Sequence, residues 1–80
     1  METGLEDKVV LVTGGAGGIG KTICRKFSEE GARVAVHFHT SSEEASSLAT
    51  EIGGASFYAD LRIPSESDEM IHEIVSHMGA

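Results

Sequence analysis

An α/β fold with a parallel sheet is what this sequence predicts, and three observations predict it. Short β-branched runs alternate with longer amphipathic stretches in the order β-α-β-α-β-α. The first run passes directly into a glycine-dense segment, VLVTGGAGGIG, with five glycines between Gly14 and Gly20. No repeat, linker or low-complexity stretch interrupts the rhythm, so residues 1–80 read as a single unit.

The elements follow in order. KVVLVT (Lys8 to Thr13) is a short continuous apolar run, as expected of a parallel strand buried on both faces. Ile19, Ile23, Cys24 and Phe27 then recur at helical spacing as far as EEG, where Gly31 is a natural stop. RVAVHF (Arg33 to Phe38) reads as the second strand. In the second helix Ser41 stands three before Glu44, in capping-box register, with Ala45, Leu48, Ala49 and Ile52 on one face and Gly53-Gly54 at the end. ASFYAD (Ala55 to Asp60) is a weaker third strand. Pro64 takes a favoured first-turn position in a third helix, with Met70, Ile71, Ile74, Val75 and Met78 as its apolar stripe.

Composition narrows the function. With 40% hydrophobic and 24% charged residues the chain is an ordinary globular one. A formal net charge of -7 argues against a general grip on nucleic acid or on an anionic membrane, and Arg25-Lys26 is the densest basic pair. METGLEDK places acid where a signal peptide carries positive charge, and no apolar run approaches membrane-spanning length. The single cysteine, Cys24, rules out an internal disulfide and fits a reducing compartment, so a cytoplasmic location is expected.

The glycine segment has a physical use. A strand that turns straight into a helix leaves the first helical N–H groups unpaired and the positive dipole end exposed, which together suit an anion. A diphosphate approaches that backbone only where the turn is tight and no Cβ stands in its way. A non-glycine residue held left-handed costs roughly 1–2 kcal/mol. Three registers satisfy the requirement. Gly15, Gly17 and Gly20 spell GxGxxG; Gly14, Gly18 and Gly20 spell TGxxxGxG; Gly14, Gly17 and Gly20 spell TGxxGxxG. Spacing alone leaves all three open.

The flanks carry more. The lead-in LEDKV, then TGGAGGIG, EEGARVAV, and Asp60-Leu61 after the third strand together resemble the opening of a short-chain dehydrogenase/reductase, over nearly the whole chain. The resemblance implies the first β-α-β-α-β-α portion of a Rossmann-type doubly wound parallel sheet. TGxxxGIG marks the family's single-domain reductase branch, and TGGxGxxG its sugar-nucleotide epimerase branch, which usually carries an aromatic residue where Gly18 stands. Gly18 and the longer lead-in favour the reductase branch. By this resemblance Gly14, Gly18, Ile19 and Gly20 would line the diphosphate of a dinucleotide coenzyme, Thr13 would brace the turn, and Gly15 and Gly17 count with them among the coenzyme-binding residues. Asp60 would meet the adenine amino group with the Leu61 backbone beside it.

Coenzyme choice turns on the end of the second strand. A carboxylate about 20 residues past the turn marks NAD. Phe38 stands there instead, followed by His39, Thr40, Ser41 and Ser42, so nothing repels a 2′-phosphate and hydroxyls are at hand to receive it. NADP(H) is therefore expected ahead of NAD, although Gly17 stands where many NADP-type relatives carry Arg. The resemblance further implies a small carbonyl or alcohol substrate, for example a 3-oxoacyl thioester, and a homo-oligomeric parent.

Other residues read more plainly. Tyr58 is the only tyrosine, on a strand and with Arg62 rather than Lys four residues on, so it reads as core packing and not as the family's Tyr-x-x-x-Lys acid. His37 and His39 share a strand face at a spacing open to a metal but have no third ligand nearby. His72 and His77 read as surface, and Cys24 as a small buried hydrophobe. The family's Asn-Asn-Ala-Gly segment, catalytic Ser and Tyr-x-x-x-Lys have no counterpart before Ala80. The expectation is an N-terminal piece of a longer reductase supplying half of a coenzyme site, without catalytic residues of its own. A non-catalytic nucleotide-binding fragment is the alternative. An isolated 80-mer with a bare first-strand edge is expected to be marginally folded and prone to associate.

Overall fold

A computed structural model describes residues 4–15 and 17–79. Met1–Thr3, Ala16 and Ala80 lie outside the described residues, and with them the beginning of the acidic leader and one position of the glycine run. Three strands, β1 (Val9–Val12), β2 (Arg33–Phe38) and β3 (Ala55–Tyr58), alternate with α1 (Gly18–Glu29), α2 (Ser42–Ile52) and α3 (Pro64–Met78). The sheet is parallel throughout, in the order β1-β2-β3. Val12 pairs with Val36 and Phe38 with Tyr58. The first and third strands are shorter than their apolar runs. Thr13 already belongs to the glycine turn, and Ala59 and Asp60 leave the ladder after Tyr58.

Strand alternation divides the core in two. Val12, Val34 and Val36 face Cys24 of α1 and Ala45, Leu48 and Ala49 of α2. Ala35, Phe57 and Ala59 face Met70, Ile74 and Met78 of α3. The first two helices therefore cover one sheet face and the third covers the other, the arrangement that right-handed crossovers impose. Burial of a residue such as Leu48 contributes about 1.5–3 kcal/mol.

Helix ends follow local backbone physics. At the end of α1, Gly31 is left-handed (φ 88°), Ala32 N–H donates to Phe27 C=O at 3.0 Å and Gly31 N–H to Ser28 C=O at 3.0 Å. This is the paired Schellman pattern. Gly53 closes α2 in the same way (φ 69°), with Gly54 N–H on Ala49 C=O at 2.9 Å. Pro64 opens α3 in the first turn. Arg33 donates from Nη1 to the Met78 carbonyl at 2.7 Å, placing a cation on the last turn of α3.

Three expectations need correction. Ser41 precedes α2 but makes no side-chain cap. Its backbone (φ -94°, ψ 57°) lies outside the extended region from which a capping hydroxyl reaches the first amides, so the capping box with Glu44 does not form. The apolar stripes are also wider in sequence than in space. Met70, Ile74 and Met78 form one buried row, whereas Ile71 and Val75, one position over, stay half exposed, as does Ile23 on α1. Tyr58 is not core: it is 50% exposed on the edge strand, packed edge-on against Phe38 with ring centroids 6.0 Å apart.

Gly20 sits at the close approach of α1 to the turn. A Cβ there would lie 2.5 Å from the Gly14 carbonyl oxygen and 2.7 Å from the Gly15 Cα, both backbone atoms that cannot swing aside. Gly20→Ala in the intact protein is expected to lose about 1–3 kcal/mol by urea denaturation. Gly18→Ala, whose Cβ would meet nothing within 4 Å, should change stability far less.

Candidate coenzyme site

The glycine turn can be read amide by amide. Gly14 is left-handed at φ 65°. Its N–H donates to Nδ1 of His37 at 2.8 Å, and Gly15 N–H donates to the His37 carbonyl at 3.2 Å. Gly17 N–H turns back to the Gly14 carbonyl at 3.1 Å. Lys21 N–H, bonded to Gly17 C=O at 2.8 Å, begins the helical ladder. The amides of Gly18, Ile19 and Gly20 have no partner among the described residues. No acidic residue stands in the first turn of α1 to neutralise its dipole.

This geometry separates the registers that spacing left open. Gly14 is required by its positive φ, and Gly20 by the backbone it touches. A Cβ on Gly15 would be tight against Val36, Cys24 and the Val12 carbonyl at 3.0–3.2 Å. Gly17 would make ordinary contact at 3.5 Å. Gly18 faces open space, and nothing in the fold asks for a glycine there. Gly18 is thus a bare backbone with no internal reason, beside amides without a partner among the described residues, as a ligand in the TGxxxGxG register would require. Ile19, the next residue, is 82% exposed. Thr13 is exposed, and its hydroxyl makes no hydrogen bond among the described residues.

His37 is the residue the sequence reading missed. Its side chain does not stand free beside His39 for a metal. Nδ1 accepts from Gly14, and Nε2 lies 2.8 Å from the Ala59 carbonyl. A carbonyl only accepts, so Nε2 carries the hydrogen and the ring is the neutral Nε2–H tautomer. The signal in the sequence was a histidine following the apolar run VAV inside the strand RVAVHF.

Beside the turn is a hollow of about 210 Å³, lined by Gly14, Gly17, His37, Phe38, His39, Thr40 and Ser41. It brings Gly14 and Gly17 of the turn together with the end of β2, whereas Gly18, Ile19, Gly20, Asp60 and Leu61 do not line it. The Thr40 and Ser41 hydroxyls make no hydrogen bond among the described residues. Glu43 and Glu44 of α2 instead border a separate hollow together with Lys21 and Arg25.

Asp60 closes the third corner. Its carboxylate accepts from the Arg62 backbone N–H at 3.0 Å, from Arg62 Nε at 2.9 Å and from Arg62 Nη2 at 2.8 Å. His39 Nε2 lies 3.6 Å from the same oxygen that Nη2 engages. Side-chain and backbone hydrogen bonds from Arg62 hold the Asp60 carboxyl well below the usual carboxylate range. Of roughly four lone-pair directions on a carboxylate, Arg62 takes three. Leu61 beside it is 48% exposed. Arg62 was not singled out from sequence, although an Arg two residues after an Asp at a strand end is the spacing of an Asx turn. Cys24 lies buried on α1, and burial pushes its thiol up, away from reactivity.

Comparison with known proteins gives this site its setting. The short chain dehydrogenase family model matches residues 8–80. The chain therefore belongs to the short-chain dehydrogenase/reductase family, and its three-stranded sheet is the opening of that family's Rossmann fold. It is 43% identical over 68 residues to (+)-cis,trans-nepetalactol synthase NEPS1 of Nepeta racemosa, covering 85% of this chain and 25% of that protein. It is 39% identical over 79 residues to 3-oxoacyl-[acyl-carrier-protein] reductase FabG of Staphylococcus epidermidis, covering 92% and 32%. Among solved structures, a short chain dehydrogenase from Burkholderia cenocepacia J2315 in complex with NADP superposes with a TM-score of 0.87 at 29% identity, over 94% of this chain and 33% of that one. The chain thus spans about a third or less of the length of these proteins. No helix among the described residues is long and apolar enough to cross a membrane.

The Asp60–Arg62 geometry sets a pH dependence. Because the folded-state value is depressed, its stabilising contribution is complete above the unfolded carboxylate value of about 3.9 and is lost as pH falls through that value toward the folded one. Carboxyl ¹³C NMR should find Asp60 still ionised in acid that protonates exposed carboxylates. Arg62→Ala should move its titration up toward the ordinary range.

Proposed function

We propose that this segment forms the coenzyme-binding half of an NADP(H)-dependent oxidoreductase acting on a carbonyl or alcohol substrate. The observation that carries the reading is the set of amides at Gly18, Ile19 and Gly20 that have no partner among the described residues, opening onto a Gly18 that the fold does not itself need. The donors suit a diphosphate: three successive N–H groups at an uncapped helix start, with the dipole behind them. The net charge of -7 does not oppose this, because scattered surface charges are screened over about 8 Å while the helix end acts at contact.

The remaining residues take complementary parts. The exposed Ile19 and Leu61 side chains offer apolar surface to the coenzyme. Asp60 has one lone-pair direction left for the adenine amino group, on the oxygen facing His39. Phe38, His39, Thr40 and Ser41 form a ribose pocket whose lining has no carboxylate, with the Thr40 and Ser41 hydroxyls, unpartnered among the described residues, and the His39 ring beside a 2′-phosphate. The turn away of Glu43 and Glu44 toward Lys21 and Arg25 keeps negative charge off that pocket. The NADP in the Burkholderia cenocepacia structure supports the same coenzyme class. When bound, the nicotinamide supplies or accepts hydride; these residues hold and orient it. The 3-oxoacyl reductase named above supports a carbonyl substrate.

Fluorescence titration of the intact protein with NADPH and with NADH tests the reading. NADPH should bind more tightly than NADH, and Gly18→Val should weaken it by roughly tenfold or more, about 1.4 kcal/mol, with little change in melting temperature. Tighter binding of NADH would overturn the 2′-phosphate assignment. Undiminished binding by Gly18→Val would overturn the diphosphate site.

A further inference from the structure

We propose that His37 is a positioning residue for coenzyme binding, acting through backbone rather than by touching the ligand. Its imidazole shapes the glycine turn so that the first amides of α1 stay free, and it registers that turn against the strand end carrying Asp60. This rests on the coenzyme reading above.

The geometry is specific. The residue is 5% exposed, and both ring nitrogens are engaged at 2.8 Å. One contact is on the phosphate-side turn, the other on the last residue before Asp60. The backbone carbonyl of His37 takes the Gly15 amide as well, so a single residue accepts both leading amides of the turn. Those two N–H groups are thereby directed into the sheet, and the diphosphate is left to Gly18, Ile19 and Gly20. Gly14, without a Cβ and at φ 65°, samples many other conformations when nothing holds it. Ordering the turn before the ligand arrives removes that entropy from the binding step.

The chemistry also fixes the ring state. An acceptor at Nδ1 and a donor at Nε2 exist together only in the neutral Nε2–H tautomer, and a ring flip would set carbons against both partners. Substitutions can separate the two contacts. Asparagine places an acceptor at the distance of Nδ1 from the backbone, and glutamine places a donor near that of Nε2. His37→Asn therefore keeps the Gly14 link and drops Ala59, while His37→Gln does the reverse.

The experiment uses the intact protein with NADPH as probe. Long-range ¹H–¹⁵N NMR should find the His37 hydrogen on Nε2 both without and with NADPH, and the Gly14 amide should exchange slowly before coenzyme is added. His37→Gln, which releases the Gly14 amide, should weaken NADPH roughly tenfold, and His37→Asn, which keeps that link and drops Ala59, should weaken it measurably less, with similar melting temperatures for the two variants. Equal affinities of the two variants, whether both lowered or both unchanged, would overturn the role of His37 while leaving the coenzyme site standing. A wild type that binds neither NADPH nor NADH would overturn the coenzyme reading and this role together. Should the variants not fold, the wild-type spectrum decides. A hydrogen on Nδ1, or a fast-exchanging Gly14 amide in the free protein, rejects the proposal, and the opposite pair of results upholds it.

Discussion

One buried imidazole joins the carboxyl ends of all three strands. It lies in β2, receives an N–H from the turn that follows β1, and gives one to the carbonyl that follows β3. Parallel strands joined through helices have no hairpin to set the relative height of their ends, so each loop at that edge must find its own support. A polar ring inside the sheet is tolerable only with both nitrogens satisfied, because an unpaired buried polar group costs about 1–3 kcal/mol. The same requirement that makes His37 expensive to bury makes it directional. One of its partners, Gly14, lines the hollow of the candidate site together with His37 itself.

From that constraint the rest of the site follows in layers. With Gly14 and Gly15 turned inward, the donors of this stretch that have no partner among the described residues are those of the helical first turn. Gly20 lets the helix approach within contact of the turn, which carries those donors toward the sheet edge. At the opposite corner Asp60 spends most of its hydrogen-bonding capacity on Arg62 and retains a single direction toward His39. The carboxylate is thus fixed in place by its own neighbour two residues on, whether or not a ligand is present.

Charge distribution resolves an apparent conflict. A chain with a formal net charge of -7 is an unpromising anion binder on bulk electrostatics. Several of its acids, however, are engaged elsewhere. Glu51 is held by Arg25 at 2.7 Å across the α1–α2 surface, Glu66 receives the Asp60 amide at 3.0 Å, and Glu43 and Glu44 sit with Lys21 and Arg25. The first turn of α1 carries no acid at all. Local dipoles therefore govern the turn, and the net charge governs only the far field.

Much of the fold was legible in the residues alone. Strand and helix order, the glycine stops at Gly31 and Gly53, Pro64 in the first turn of α3 and the strand-glycine-helix junction are all matters of local backbone preference and periodicity. These act between residues close in sequence. What periodicity could not tell was how wide a face each helix would bury, and so it placed Ile71 and Val75 inside; nor did a place on a strand tell that Tyr58 stands on the sheet's edge. Nor could spacing say which glycines the fold consumes and which it leaves bare. Gly18 is distinguished from Gly20 only by what stands opposite each. His37 and its partners are separated by 23 and 22 residues, and no local rule links them. Secondary structure was thus determined by the chain's own short-range chemistry. The identity of the free amides, the tautomer of the buried histidine and the orientation of Asp60 were decided by tertiary structure, because each depends on which distant groups the parallel sheet brings to one edge.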